Sequence, residues 1–182
     1  MSLIDKIMNS QDFPEEFNSL EEGIDLLLPY IWRYSEGLNE FDFFVGRRWL
    51  EIRGSIEFQE AILHVFKEDG KYLRIIEGDI ESGSWDYDIN GFILKYKGGH
   101  ELFELSFLNE NFFILRKHGD HVAKGNRSKY IFFTTENISH KYEWPDILRL
   151  MFDTIYKQNS GYLFIVVIFI VVVAIIVFLS LV

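Results

Sequence analysis

The chain has 182 residues, no cysteine, 17% aromatic residues and a formal net charge of −10. This length suits one domain with its own hydrophobic core, and the lack of cysteine excludes a disulfide-stabilised secreted scaffold. Residues 1–42 hold ten acidic residues against Lys6 and Arg33, so they carry −8 of the charge. Because nucleic-acid binding requires clustered basic side chains, we expect no general binding of DNA or RNA.

The first helical pattern covers residues 15–36, where apolar residues recur at helical spacing. Ser19 and Glu22 have the spacing of a capping box, which satisfies backbone N–H groups at a helix start. Pro29 lacks a backbone donor and predicts a break or kink near Leu28.

Residues 43–136 have the character of an antiparallel β domain, in which alternating apolar and polar residues are separated by turn signals. Asn90-Gly91 is the strongest of these signals, because type I′ hairpin turns need positive φ. The other turn signals are Asp69-Gly70, Ser82-Gly83, Gly98-Gly99, 109–111 and Gly119-Asp120. Strands are predicted near 47–54, 61–68, 72–79, 84–89, 92–97, 101–108, 112–117 and 129–135. The short connections favour a mainly β fold, an eight-stranded antiparallel meander closed into a barrel. A twisted open sheet capped by the N-terminal helices is the alternative.

The segment FFVGRRWLEI opens the first predicted strand with Gly46 and Trp49. It resembles the Gly-x-Trp start of lipocalin-like (calycin-type) barrels, with one more residue between the glycine and the tryptophan. As a topology, the resemblance covers residues 43–136. It implies that the mouth of the barrel holds a small apolar ligand.

Near the C-terminal end, Pro145 occupies a first-turn position of a juxtamembrane helix. Its apolar face contains Leu148, Met151, Phe152 and Ile155. We expect this face to pack against the β domain. A helix lying on the bilayer is the alternative, disfavoured because the polar face is not basic.

Residues 162–182 are uncharged, and 18 of the 21 are Leu, Ile, Val or Phe. As a helix this stretch would be about 31 Å long, which matches the hydrocarbon core of a bilayer. A buried strand or core helix is the alternative, but strands rarely exceed about ten residues and core helices are seldom apolar on every side. The sequence predicts one C-terminal transmembrane helix that contacts the bilayer through residues 162–182.

The chain start, MSLIDKIMNS, bears charges at Asp5 and Lys6 and lacks the apolar core of a signal peptide. We therefore expect a tail-anchored, single-pass membrane protein with its N-terminal domain in the cytosol. The predicted parts are an acidic helical segment (1–42), the β-barrel domain (43–136), a juxtamembrane helix with a hinge (137–160) and the transmembrane helix (161–182).

Motifs for catalysis or metal binding are missing from the sequence, which has no P-loop, nucleophile elbow or HExxH. Residues 86–91, DYDING, match the first half of an EF-hand loop, but Lys97 stands where that loop requires glutamate. His118 and His121 lie three apart without two further zinc ligands nearby. His64 stands alone and is interpreted as a core or surface histidine. We expect no enzyme, no metal site and no other cofactor.

Residues 116–129 carry a formal charge of +4 within this acidic chain. One interpretation is a solvated loop. The other is a site for an anionic small molecule or an acidic protein partner, in which Gly119 and Gly125 let backbone amides approach a phosphate. The candidate binding residues are Arg116, Lys117, His118, His121, Lys124, Arg127 and Lys129.

Strand parity predicts where this basic segment lies. Connections in a meander alternate between two ends, so residues 118–128 should lie opposite the end at which the first strand begins and the eighth finishes. The acidic helices and the anchor are expected to leave from that first end.

Two function classes stay open. In the first, the β-barrel is a ligand- or partner-binding sensor module and the tail fixes it to a membrane. In the second, the chain is an oligomerising membrane scaffold or membrane-perturbing effector regulated by its β domain, and it forms homo-oligomers. Native mass in detergent distinguishes them, because ligand-dependent assembly supports the sensor and a constant mass supports the scaffold.

Overall fold

A computed structural model describes residues 13–14, 16–54, 61–88, 91–96, 99–118 and 128–157, together with 169–170, 172–173 and 175–176. Its centre is a closed barrel in which eight antiparallel strands follow one another in chain order. The strands are β1 (Arg48–Ile52), β2 (Ile62–Phe66), β3 (Lys71–Ile76), β4 (Asp79–Asp88), β5 (Gly91–Tyr96), β6 (Gly99–Leu108), β7 (Phe112–Lys117) and β8 (Tyr130–Thr135). β1 also pairs with β8, with Trp49 opposite Thr135. The predicted eight-stranded antiparallel barrel is confirmed, and the open sheet is wrong.

Aromatic side chains fill the lower half of the barrel, where the lower end is the one at which β1 begins and β8 finishes. Phe44, just before β1, is fully buried and its ring centroid lies 5.3 Å from that of Trp85. The indole N–H of Trp49 donates to the Phe44 carbonyl at 3.0 Å, which fixes the segment that carries this ring. Phe66, Phe92 and Phe113 surround the Phe44 ring. The Phe44 side chain therefore fills the lower end of the barrel.

Two longer helices pack on the outer face of β6, β7 and β8, and a short helix contacts β8 and β1. They are α1 (Leu20–Ile31), α2 (Glu136–Ser139) and α3 (Trp144–Met151), which continues as a π-helical segment, Phe152–Lys157; short 3₁₀ turns span Trp32–Tyr34 and Phe41–Phe43. Buried apolar residues of α1 and α3 form one cluster with Phe107, Phe112 and Phe132 of the strands. Tyr30 near the end of α1 contacts Tyr156, with 5.2 Å between ring centroids. The two helices thus end side by side.

The start of α1 agrees with its predicted cap, but the predicted break does not occur. Ser19 Oγ accepts from the Glu22 amide at 3.2 Å, while a Glu22 carboxylate oxygen accepts from the Asn18 amide at 2.8 Å. The helix begins at Leu20 and runs through Pro29 without interruption. Pro29 lies on the exposed side, where water can satisfy the carbonyl that loses its donor. Packing of the opposite, buried side keeps the helix continuous.

The helix predicted to begin near Pro145 is confirmed over residues 144–157. Its Pro145 stands in the first turn. The four residues of its predicted apolar face are buried against α1 and the barrel. The packed arrangement is therefore correct, rather than the surface helix.

The turn predicted at Ser82-Gly83 is wrong, because both residues lie inside β4. The β3–β4 turn is formed by Glu77 and Gly78, with φ of 51° and 93°, the positive values that a type I′ hairpin needs. Gly83 occurs within the strand because a Cβ there would overlap the carbonyl oxygen of Lys95 on β5.

The strongest predicted hairpin, Asn90-Gly91, is displaced by one residue. Asp88 pairs with Gly91, so residues 89–90 connect the strands and Gly91 begins β5. Gly91 has φ of 141°, which side-chain-bearing residues rarely adopt.

The predicted transmembrane helix lies mostly outside the described residues. In the parts of the chain that the structure covers, no helix combines the length and apolar character needed to cross a bilayer.

Candidate functional site at the upper end of the barrel

Strand parity places the two described ends of the basic segment at the upper end, as predicted. β7 finishes there at Lys117 and β8 starts there at Tyr130, while β1 begins and β8 finishes at the lower end. The position predicted for the acidic helices is only partly correct. α1 finishes towards the lower end, where the Glu36 amide donates to the Leu108 carbonyl at 2.9 Å. The helix begins at the upper end, where Glu21 accepts from the Lys129 amide at 3.0 Å.

The upper end of the barrel contains a cavity of about 360 Å³. This volume falls within the range of small-molecule sites. Its lining is mostly polar, and it consists of Glu51, His64, Tyr72, Arg74, Leu94, Tyr96, Glu101, Lys117, Ser128, Tyr130 and Ile131. We call this space the mouth cavity.

Alternation along the strands creates the mouth cavity. Trp49 and Glu51 occupy successive inward positions of β1, with the tryptophan in the aromatic core and the glutamate in the cavity. Phe66 and His64 repeat this order on β2. An apolar residue below and a polar one above is therefore a repeated feature of the barrel interior.

Three side chains on one wall form a hydrogen-bonded chain that we call the Glu51–His64–Tyr72 relay. The Tyr72 hydroxyl lies 2.7 Å from His64 Nδ1, and His64 Nε2 lies 3.1 Å from Glu51 Oε2. His64 is 3% exposed and Tyr72 is 1% exposed. Burial of this kind makes each of these hydrogen bonds costly to leave unmade.

The protonation of the relay follows from burial and charge. Burial lowers the pKa of His64 below its ordinary value, against the opposing effect of Glu51. Burial alone would raise the pKa of Glu51, but the hydrogen bond with His64 and the charges of Arg53 and Arg74 outweigh it and lower that pKa. Burial raises the pKa of Tyr72. At neutral pH, His64 is neutral and donates from Nε2 to the Glu51 carboxylate, while the Tyr72 hydroxyl donates to Nδ1.

Charges of both signs surround the rest of the cavity. Arg74 is joined to Glu81 by an ion pair of 3.0 Å, and both side chains are largely covered. Lys117 on β7 and Glu101 on β6 also line the space. Because Tyr72 stays protonated and both ring nitrogens of His64 are hydrogen-bonded within the relay, the site presents polar groups in fixed positions. Its chemistry suits binding of a polar molecule.

The structure separates the seven basic-segment residues into three groups: one in the mouth cavity, one in ion pairs and one outside the described residues. Lys117 lies in the mouth cavity. Arg116 and His118 both bind Glu104 on the neighbouring strand, and the imidazole Nδ1 lies 2.8 Å from the carboxylate. Lys129 binds Asp25 of α1 at 2.7 Å. The third group, His121, Lys124 and Arg127, lies outside the described residues.

The N-terminal helix is attached to the cavity wall at this point. Asp25 binds both the Lys129 ammonium and the Tyr130 hydroxyl. The hydrogen bonds and charge of Lys129, with the hydrogen bond from Tyr130, lower the pKa of Asp25 despite the opposing effect of burial. Tyr130 also lines the mouth cavity, so α1 and the cavity share a residue.

One expectation about this end needs correction. The lipocalin resemblance implied an apolar ligand, but the aromatic core fills the lower barrel and the described mouth is polar. His64 is buried, which agrees with the predicted core histidine, and it is also the centre of the relay. One sequence signal could have found the relay. Glu51 and His64 each lie two residues along their strand from a core aromatic residue, on the side towards the upper end of the barrel.

No protein-family model, curated protein or solved structure matches this chain. Among the described residues, no group of three or more His, Asp or Glu side chains is arranged to hold a metal ion.

Proposed function

We propose that this chain is a membrane-tethered binding protein whose barrel takes up a small polar molecule with an anionic group. The observation that carries the proposal is the mouth cavity of about 360 Å³, where polar side chains converge above a filled aromatic core. The volume lies in the range of small-molecule sites, and the polar lining offers several donors and acceptors to a polar ligand.

Each part of the lining has a role in this proposal. Lys117 on β7 meets the anionic group as a charge-assisted donor, and Arg74 adds positive charge from β3, on the opposite side of the barrel. Glu101 accepts from donors on the ligand. The relay fixes the orientation of the Tyr72 hydroxyl on the wall formed by β1, β2 and β3. The barrel topology agrees with a lipocalin-like binding mode, although the polar lining requires a different ligand.

Membrane tethering comes from the uncharged residues 162–182. The domain would then face the cytosol and the tail would fix its location. Tyr156, beside Tyr30, is close to the start of this tail, at the end of the helix pair remote from the cavity.

Binding is tested by native mass spectrometry of the full chain released from maltoside micelles, which detects a co-purifying small molecule. Replacing Lys117 with Met should reduce its occupancy, since loss of a charge-assisted hydrogen bond of about 1.5–3 kcal/mol weakens binding about tenfold to a hundredfold. The matched control is Lys95→Met on the exposed face of β5. Equal occupancy in both variants would contradict the proposed site.

A further inference from the structure

We propose that the lower end of the barrel carries a second site, which binds a quaternary ammonium group. The site is a recess of about 220 Å³ on the far side of the aromatic core from the mouth cavity. Phe41, Trp85 and Tyr87 form its aromatic walls, and Glu68 and Asp86 are its charged lining. We call it the aromatic recess. Its assignment does not depend on the function of the mouth cavity.

The ring geometry supports binding of an organic cation. Phe41 lies perpendicular to both other rings, at 82° and 6.0 Å from Trp85 and at 88° and 5.3 Å from Tyr87. In this edge-to-face packing the three rings form one corner of the recess, and the exposed parts of Phe41 and Tyr87 border its open space. A cation within about 6 Å of several ring faces is attracted by each of them.

Trp85 gives the recess a fixed base. Its indole N–H donates to the Lys67 carbonyl at 2.8 Å, and its ring stacks on Phe92 with 5.7 Å between centroids. Trp85 is 7% exposed, whereas Phe41 and Tyr87 are 42% and 37% exposed. The recess thus combines an ordered base with two open aromatic walls, a large apolar surface left in contact with water.

The charged residues around the rings determine the sign of the charge that a ligand must carry and the type of ion that fits. The described lining includes two carboxylates and no basic side chain, so an anion is disfavoured and a cation is favoured. A bare metal ion requires several oxygen ligands at short distance, and the described residues form no such group. A methylated ammonium ion needs no hydrogen-bond acceptors, and aromatic faces with a nearby carboxylate satisfy it.

The size and position of the recess further restrict which cations can bind. Its volume is below the range of sites for drug-sized ligands, so a head group such as trimethylammonium fits better than a large molecule. Such a group belongs either to a soluble cation or to a choline lipid. The recess lies at the lower end of the barrel, towards which α1 and the π-helical segment run. Only a choline lipid as the source of the cation requires the proposed membrane anchor; a soluble cation does not.

The test uses the full chain in maltoside micelles, titrated with tetramethylammonium or choline and monitored by NMR. We expect saturable binding that is tighter than for ammonium chloride at the same ionic strength. Tyr87→Leu should weaken it about threefold to thirtyfold, because one cation–π contact is lost. Tyr87→Phe keeps the ring and should bind within about twofold of the natural chain.

Charge is tested separately with Glu68→Gln, which should weaken binding, against Glu110→Gln, which changes an exposed acid outside the recess. No saturable binding, equal binding of ammonium, or equal binding by Tyr87→Leu and Tyr87→Phe would overturn the proposal. Loss of binding at Lys117→Met would not be expected, which separates this site from the mouth cavity.

The source of the cation is identified in nanodiscs. If phosphatidylcholine supplies it, added tetramethylammonium should bind more weakly in phosphatidylcholine discs than in phosphatidylglycerol discs, because the site is already filled. Equal saturable binding in both discs supports a soluble cation. Absence of binding in phosphatidylglycerol discs as well as in micelles would contradict the site itself.

Discussion

Replacing Tyr72 with Phe tests the Glu51–His64–Tyr72 relay directly. The substitution removes one hydroxyl but keeps the ring that stacks on Phe66, with centroids 5.4 Å apart. It leaves His64 Nδ1 without its 2.7 Å partner at a side chain that is 3% exposed. A buried polar atom without a partner costs about 1–3 kcal/mol. Because the mouth cavity is adjacent and water can reach the ring nitrogen, we expect a loss of about 1–2 kcal/mol in the free energy of unfolding.

The assay is urea unfolding of the full chain in maltoside micelles, followed by tryptophan fluorescence. Tyr142→Phe is the control, because Tyr142 is 43% exposed and lies outside the barrel, and it should change the free energy by less than about 0.5 kcal/mol. A double-mutant cycle with His64→Gln should give a coupling of at least about 0.5 kcal/mol. If Tyr72→Phe matched Tyr142→Phe and the cycle showed no coupling, the relay would not be a stabilising network.

Three further predictions follow from the fold. Burial lowers the pKa of His64 in the folded chain below the value of about 6.5 that applies in the unfolded chain. Between these two pKa values the unfolded chain binds more protons, so the free energy of unfolding should rise with pH by at most about 1.4 kcal/mol per pH unit. His64→Gln should flatten this rise in urea titrations at pH 5 to 7. Gly91→Val should destabilise by about 2 kcal/mol or more, measured by thermal unfolding, because φ is 141° and a Cβ would overlap the Phe103 carbonyl oxygen. Gly99→Ala, where the nearest atom is 3.9 Å from the added Cβ, should cost much less. A chain ending at residue 160 should stay soluble and give a mainly β circular dichroism spectrum. The full chain should resist alkaline extraction from membranes. Aggregation of the shorter chain would contradict a separable anchor.

Local signals predicted the architecture because a meander depends on local features. Each strand pairs with the next along the chain, so turn chemistry and alternation determine most of the barrel. The same signals failed at Gly83, where the glycine serves a close approach between neighbouring strands rather than a turn. They failed at Pro29 because helix packing outweighed the lost hydrogen bond.

The mouth cavity was harder to predict because it depends on cross-strand register. Trp49 pairs with His64 and Phe66 pairs with Tyr72, which makes the relay residues diagonal neighbours on one inner face. Spacing along each strand places Glu51 and His64 next to core aromatic residues, but only the register shows that they contact each other. The basic segment was found from its charge alone, yet the ion pairs of Lys129 with Asp25 and of Arg116 with Glu104 depend on contacts that the sequence does not reveal.

Closure of the barrel limits how this domain can join other molecules. Each of the eight described strands has a hydrogen-bonded neighbour on both sides, so the described sheet has no edge strand. A partner therefore cannot extend the sheet by adding a strand, and two copies cannot assemble edge to edge. Recognition of the described barrel must proceed through side chains at its two ends, on its outer wall or along the helix pair. Self-association of the full chain, where it occurs, would have to use those surfaces or the apolar tail.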